Sequence, residues 1–213
     1  MNIFLIGAGN MGAAFAKQLS AAGHAVRVAS RSAGKAEALA RELPGVQQVA
    51  PGGAAEAAAA ADAVILATGY GDAAAALQPL GALAGKPVID ITNPVTPDYM
   101  ALTIGHTTSA AEEIAKLVPK ARVVKAFNTL FAQVLAGGAD FGGGQRVPVF
   151  YAGDDTVAKD LVHALIQSLG FVPVNAGGLK NARYLEPLAG LNIYLGYGAG
   201  LGVNIAPAWL AKA

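Results

Sequence analysis

A short apolar run that breaks into glycines at a fixed spacing leaves few folds open, and residues 3–12 form one: Ile-Phe-Leu-Ile-Gly-Ala-Gly-Asn-Met-Gly. A buried strand followed by Gly7, Gly9 and Gly12 lets the backbone turn tightly at the first, approach a pyrophosphate closely at the second and pack a helix against the strand at the third. The helix N-terminus then presents free N–H groups to phosphate. In a chain with 27 glycines such spacing also arises for steric reasons alone, so its surroundings decide. A helix is expected over Met11–Ala22 and a second strand over Ala25–Ala29, completing the βαβ unit of ~30 residues that the dinucleotide motif requires. Gly7, Ala8, Gly9, Asn10, Met11 and Gly12 are therefore assigned to cofactor binding.

The end of the second strand selects the dinucleotide. An NAD site places Asp or Glu there to hold the ribose 2′-hydroxyl. Here the chain reads Ala29-Ser30-Arg31-Ser32-Ala33-Gly34-Lys35, with no carboxylate. Arg31 offers a planar fork for a 2′-phosphate and Lys35 a mobile charge one turn into the next helix. Ser30, Arg31, Ser32 and Lys35 thus point to NADP(H). The plainer alternative has Ser30 or Ser32 capping that helix and Arg31 solvated at the surface.

A length of 213 residues suits one α/β unit with an extension. No apolar run approaches the ~18 residues of a membrane span, the chain opens directly on a strand with no leader pattern, and it has no cysteine. Disulfides and thiolate metal sites are excluded, and a cytoplasmic location is the expectation. A net charge of +1 with no dense basic run argues against nucleic acid or anionic membranes and for small-molecule partners.

Downstream, apolar runs alternate with Ala-rich helical stretches: strands at Gln47–Val49, Ala63–Ala67 and Lys86–Asp90, with a helix at Gly53–Ala60. A helix at Ser109–Leu117 carries Ser109 and Glu112 at capping-box spacing. Strands follow at Arg122–Lys125, Val147–Tyr151 and Phe171–Val174, the last two flanking a helix at Thr156–Leu169. The pattern predicts an α/β NAD(P)-binding Rossmann fold with a doubly wound, mainly parallel sheet. Its dinucleotide-binding domain spans 1–178, and 179–213 forms a small helical extension, with Ala182–Leu210 largely helical but broken by glycines at Gly196, Gly198, Gly200 and Gly202. Gly137–Gly144 reads as a weakly ordered loop.

In such sheets ligands lie beyond the carboxyl ends of the strands. Those ends bear Ala67, Thr68 and Gly69 after the fourth strand, Asn93 and Pro94 after the fifth, and Phe127, Asn128 and Thr129 after the sixth. Each also has a plain reading as turn chemistry. Acid–base candidates are scarce. His24 falls in a turn and His163 on a packing helix; His106 alone stays a loop ligand candidate. Lys125 is expected to pair with a carboxylate or anchor a loop, and Glu186 to have no catalytic part. No catalytic residue is assigned. Hydride transfer between two bound cofactors explains this scarcity, because the cofactors carry the chemistry and the protein supplies proximity.

Together these motifs resemble the coenzyme F420-dependent NADP oxidoreductases. The resemblance rests on Ile6–Gly12, Ser30-Arg31-Ser32, Val88–Pro94, Ser109–Glu113, Val123–Thr129, Ala152–Asp155, Leu169–Gly177 and Ala182–Pro187. It implies NADP(H) with coenzyme F420 or another flavin as second cofactor, a substrate site at Phe127, Asn128, Thr129 and Leu130, and a C-terminal segment near Leu201 closing that pocket and a homodimer interface. Alternatives left open are an NADPH-dependent flavin or metal reductase, an imine reductase of the pyrroline-5-carboxylate reductase type, and a non-enzymatic NADP(H) redox sensor.

Overall fold

The computed structural model describes residues 1–210 and 212. In chain order the elements are β1 (Asn2–Ile6), α1 (Asn10–Ala21), β2 (Ala25–Ala29), α2 (Ala33–Glu42), β3 (Val46–Gln48) and α3 (Ala54–Ala60). Then come β4 (Ala63–Leu66), α4 (Ala73–Leu77), β5 (Pro87–Asp90), α5 (Ala110–Leu117), β6 (Arg122–Ala126) and α6 (Ala132–Gly137). Last are β7 (Pro148–Gly153), α7 (Thr156–Ser168), β8 (Val172–Asn175) and α8 (Ala182–Ile193).

The eight strands form one sheet in the order β3-β2-β1-β4-β5-β6-β7-β8. Every neighbouring pair is parallel except β6 with β7. The strand order reverses between β1 and β4, which opens a crevice at their carboxyl ends. β4 and β5 are buried along their whole length, as strands covered on both faces must be. Alternate residues feed two cores. Ile3, Leu5, Val28 and Ile65 meet Phe15 and Leu19 of α1 and Val162 and Leu165 of α7 on one face. Phe4, Ile6, Val64 and Val88 meet Ala57 of α3, Leu77 of α4 and Ile114 of α5 on the other. Alanine on α3 keeps that helix close to the sheet without a long side chain between them.

One expectation is refined and one is corrected. Helix α8 passes into a π-helical turn at Tyr194–Gly198, and residues 199–210 carry no helix. Gly200 and Gly202 there take left-handed backbone, and the amides of Leu201 and Gly202 turn back onto Leu195 and Gly196 carbonyls, 3.0 and 3.1 Å away. Residues 211 and 213 of the expected extension lie outside the described residues. The glycine-rich stretch after α6 is a hydrogen-bonded turn. An antiparallel bridge joins Asp140 to Arg146, Phe141 N–H donates to the Gln145 carbonyl at 3.0 Å, and Gly142, Gly143 and Gly144 occupy the left-handed region that the reversal needs.

Candidate functional site

The first turn of α1 stands at the crevice because the glycines allow it. Gly7 has φ +115°, and a Cβ there would sit 2.2 Å from the Ala67 carbonyl oxygen. A Cβ on Gly12 would sit 2.0 Å from the Gly7 oxygen, so helix, turn and strand are in contact through backbone alone. Gly9 differs: a Cβ would meet nothing within 4 Å, and its exposed backbone borders a cavity of about 550 Å³. The first α1 amide to return to the turn is that of Ala13, which donates to the Gly9 carbonyl at 2.8 Å. The N–H groups of Asn10, Met11 and Gly12 have no intrahelical acceptor. Donors at a helix N-terminus beside an open backbone cradle suit a pyrophosphate.

The same cavity continues over Ser30, Arg31, Ser32 and Lys35, with Ala8, Ala67, Thr68 and Gly69 on its walls. Ser32 occupies the N-cap position of α2, yet its hydroxyl makes no capping bond. That finding removes the plainer role of Ser32. Ser30 Oγ accepts from the Ser32 N–H at 3.2 Å. Arg31 is not simply solvated. Its Nη1 and Nη2 donate to Asp72 Oδ1 and Oδ2 at 2.9 and 2.8 Å. Asp72 follows β4 and lines the same cavity; nothing in the local sequence around Arg31 signals it. Two hydroxyls, a guanidinium and an ammonium thus share one open mouth, a donor set that fits a 2′-phosphate.

On the other side of the α1 N-terminus lies a second cavity of about 440 Å³, bounded by Asn10, Met11, Asn93, Asn128, Thr129 and Leu130. Its outer wall is formed by Asp98, Tyr99 and Met100 of the loop after β5, and by Ile193 and Tyr197 at the end of α8. Sequence reading had not included these outer residues. The two asparagines interlock: Asn93 Nδ2 donates to the Asn128 carbonyl at 2.8 Å, and Asn128 Nδ2 donates to Asn93 Oδ1 and the Leu185 carbonyl, each at 3.0 Å. Asn192 Nδ2 donates to the Thr129 carbonyl at 3.0 Å, tying α8 to the loop after β6. Asn128 Oδ1, Thr129 Oγ1 and Thr92 Oγ1 are buried with no hydrogen-bond partner among the described residues. Buried orphan oxygens at strand ends call for a polar group from water or a ligand.

Phe127 is placed otherwise than expected. Its ring is fully buried and packs edge-on against Phe15 and Phe171, with centroids 5.0 and 6.5 Å away. It bounds neither cavity, so the expected substrate contact at Phe127 is not formed. The Phe127 backbone has φ +60°, a strain of about 1–3 kcal/mol offset by burying the ring, about 1.5–3 kcal/mol. The turn it makes carries Asn128–Leu130 across the strand ends. Leu201 is 62% exposed and borders neither cavity. Pro94 is buried and bounds neither; its carbonyl accepts from the N–H and hydroxyl of Thr103.

The ionisable groups behind the site are structural. Lys125 Nζ donates to Asp90 Oδ2 at 2.8 Å, Glu186 at 2.8 Å and the Thr92 carbonyl at 2.6 Å, all fully buried. Glu186 also accepts from the first two N–H groups of α5, Ala110 and Ala111, at 2.8 and 3.1 Å, where the helix end offsets negative charge. Among the described residues, Asp98 alone brings a carboxylate to the second cavity. The Thr96 hydroxyl and the Met100 N–H hold it below the usual carboxylate range, so at neutral pH it is an anion and donates no proton. His106 lies beside Lys180 and Arg183 in a separate depression, His163 bonds Tyr151, and His24 bonds Ser168. No helix among the described residues is long and apolar enough to cross a membrane.

Residues 2–94 match the family model for NADP oxidoreductase, coenzyme F420-dependent. The chain is 32% identical over 202 residues to the F420-dependent NADP reductase of Methanothermobacter marburgensis, covering 89% of each chain. It is 31% identical over 185 residues to metalloreductase STEAP3 of Rattus norvegicus, covering 86% of this chain and 35% of that much longer protein. A crystal structure of a protein provisionally assigned as an F420-dependent NADP reductase, from Arthrobacter sp., superposes with TM-score 0.81 at 33% identity, covering 95% of this chain and 96% of that one. With a doubly wound sheet, a glycine turn opening α1 and a relative matched along nine-tenths of its length, the chain is an NADP-dependent oxidoreductase and belongs to the coenzyme F420-dependent NADP oxidoreductase family.

Proposed function

We propose that the protein transfers a hydride between NADPH and a flavin-like acceptor, with coenzyme F420 as the first candidate. The observation that supports this reading is the pair of cavities on either side of the first turn of α1, one bordered by Gly7–Gly9 and suited to the adenosine half of the dinucleotide, the other bordered by Asn10 and Met11 and open to nicotinamide and acceptor. NADPH supplies the hydride. The chain's own residues do the rest. The N–H groups of α1 hold the pyrophosphate beside Gly9, and Ser30, Arg31, Ser32 and Lys35 hold the 2′-phosphate. Asn93 and Asn128, locked together, fix the loops that bring the two rings into contact. Leu130 and Met11 limit water there. Among the described residues, Asp98, an anion flanked by Tyr99, is the single carboxylate lining the second cavity, and no lysine, arginine or histidine lines it. Transfer between two rings needs no side-chain proton donor, and this lining is consistent with that chemistry.

The names of the relatives support two acceptors. The Methanothermobacter relative is an F420-dependent NADP reductase, and the rat one a metalloreductase; this chain spans about a third of the latter. The test is NADPH oxidation by purified protein with F420, FMN, FAD and riboflavin offered in turn. Turnover with the deazaflavin alone supports the leading reading. Turnover with an ordinary flavin moves the function toward flavin or metal reduction, and tight NADPH binding with no turnover favours a redox sensor. Arg31→Ala tests the other half of the site: an unchanged preference for NADPH over NADH removes Arg31 from the phosphate site. A homodimer closing the acceptor cavity completes the proposal and is checked by sedimentation.

A further inference from the structure

We propose that Asp72 is a specificity-determining residue that competes with the coenzyme's 2′-phosphate for Arg31. The proposal rests on the reading that this phosphate lies at Ser30–Lys35. Arg31 follows β2 and Asp72 follows β4, and β1 lies between those strands in the sheet. The bidentate pair, 2.9 and 2.8 Å, therefore spans the mouth of the crevice above Gly7. Both side chains line the first cavity, and Arg31 is the hydrogen-bond partner of the Asp72 carboxylate among the described residues. The sequence around Arg31 holds no acid, so on local reading nothing opposes a phosphate there; the sheet order supplies that acid from 41 residues away.

The pair is positioned to be exchanged. Its side chains are 84% and 41% exposed, and such solvated pairs hold weakly. A phosphate monoester carries about −1.5 to −2 charges at neutral pH against −1 for the carboxylate, and two of its oxygens can take the same pair of guanidinium N–H groups. NADPH therefore displaces Asp72 and loses the value of the pair in doing so. NADH has nothing to place on Arg31, leaves the pair closed and bears no such cost. Asp72 thus tempers the preference for NADPH and provides Arg31 with a counter-charge when the phosphate leaves.

The experiment titrates wild type, Asp72→Asn and Asp72→Ala with NADPH, NADH and 2′,5′-ADP by calorimetry. Removing the competing charge is expected to tighten NADPH and 2′,5′-ADP by about two- to five-fold, the range an exposed pair spans, and to leave NADH unchanged. In an Arg31→Ala background the Asp72 substitutions are expected to change nothing. Weaker NADPH binding, equal changes for NADPH and NADH, no change, or a gain that persists without Arg31 each overturns the proposal. Failure of the underlying reading is separable, because it appears in Arg31→Ala alone as an unaltered NADPH-to-NADH ratio.

Discussion

Gly9→Ala separates the phosphate cradle from the fold. The residue has φ −76° and ψ −168°, extended backbone that alanine adopts freely, and its added Cβ would touch no atom of the protein within 4 Å. The unliganded protein is therefore expected to be as stable as wild type or more so, by about 0.4–1 kcal/mol, since alanine narrows the unfolded ensemble. The methyl group would instead occupy the space where a pyrophosphate meets the α1 amides. Pushing one phosphate oxygen out of range of one N–H forfeits a charge-assisted hydrogen bond, about 1.5–3 kcal/mol, or about 10- to 150-fold in Kd. Gly12→Ala is the contrast, because its Cβ would lie 2.0 Å from Gly7 O and 2.7 Å from Gly7 C; it must displace α1 and lower the melting temperature. The assay is a coenzyme-free thermal melt beside NADPH titration by nicotinamide fluorescence. A Gly9→Ala protein that melts normally and binds NADPH with wild-type affinity would refute the placement of the pyrophosphate.

Three further outcomes are expected. Lys125→Met leaves the buried Asp90 and Glu186 carboxylates without their shared cation and should cost about 3–5 kcal/mol in urea unfolding; Glu186→Gln, which removes one of the two negative charges, should cost less. Asn128→Ala strands the Leu185 carbonyl and Asn93 Oδ1, costing about 1–3 kcal/mol of stability, and should lower turnover with every acceptor; unaltered kinetics would take that loop out of the site. Finally, the Arg183 guanidinium, bonded to Glu112 at 2.7 and 2.8 Å with Ser109 assisting, holds the Glu112 carboxyl below its ordinary range against the opposing effect of burial. A depressed carboxyl stabilises the fold above its unfolded-state value, near 4.5, and that contribution disappears as pH falls through the folded-state value. Urea midpoints measured from pH 7 to pH 3 should therefore drop more steeply for wild type than for Glu112→Gln.

The strands and the glycine turn were legible because each is a local pattern: four buried apolar residues in β1 ending on a glycine whose carbonyl neighbour forbids a side chain. Lys125 was legible as a partner of carboxylates, since a lysine inside a buried strand requires one. What escaped depends on tertiary placement. Asp72 stands beside Arg31 only because β1 separates β2 from β4. Phe127 follows a strand like a pocket residue, yet its left-handed backbone sends the ring into the core between Phe15 and Phe171. The segment after Gly198 has the apolar composition of a helix, but the π-helical turn and the left-handed backbone at Gly200 and Gly202 carry it away from the helix axis, with Val203 and Ile205 packed against the core. Tyr99, Met100 and Tyr197 gave no local signal, as each is a single exposed residue on a loop or helix end.

That last group explains how one dinucleotide scaffold can serve different acceptors. The adenosine side is constrained by backbone contacts at Gly7 and Gly12 that tolerate no side chain, so its chemistry is fixed with the sheet. The acceptor side is closed by residues that support little else. Tyr99 is 57% exposed and Tyr197 56% exposed; Tyr99 sits at φ +63°, and Tyr197 leans edge-on against Phe131 at 5.4 Å. The Tyr99 backbone is held by its N–H bond to the Thr96 carbonyl at 2.8 Å. On the proposed reading, exchanging such residues would alter the ring that is accepted without disturbing the dinucleotide. Tyr99→Ala and Tyr197→Ala should accordingly raise the KM for the acceptor by up to about ten-fold, the value of an aromatic contact of about 0.5–1.5 kcal/mol, and leave the Kd for NADPH within two-fold. An equal loss in both constants would mean that the outer wall positions the nicotinamide, and the division of the site into two independent halves would have to be abandoned.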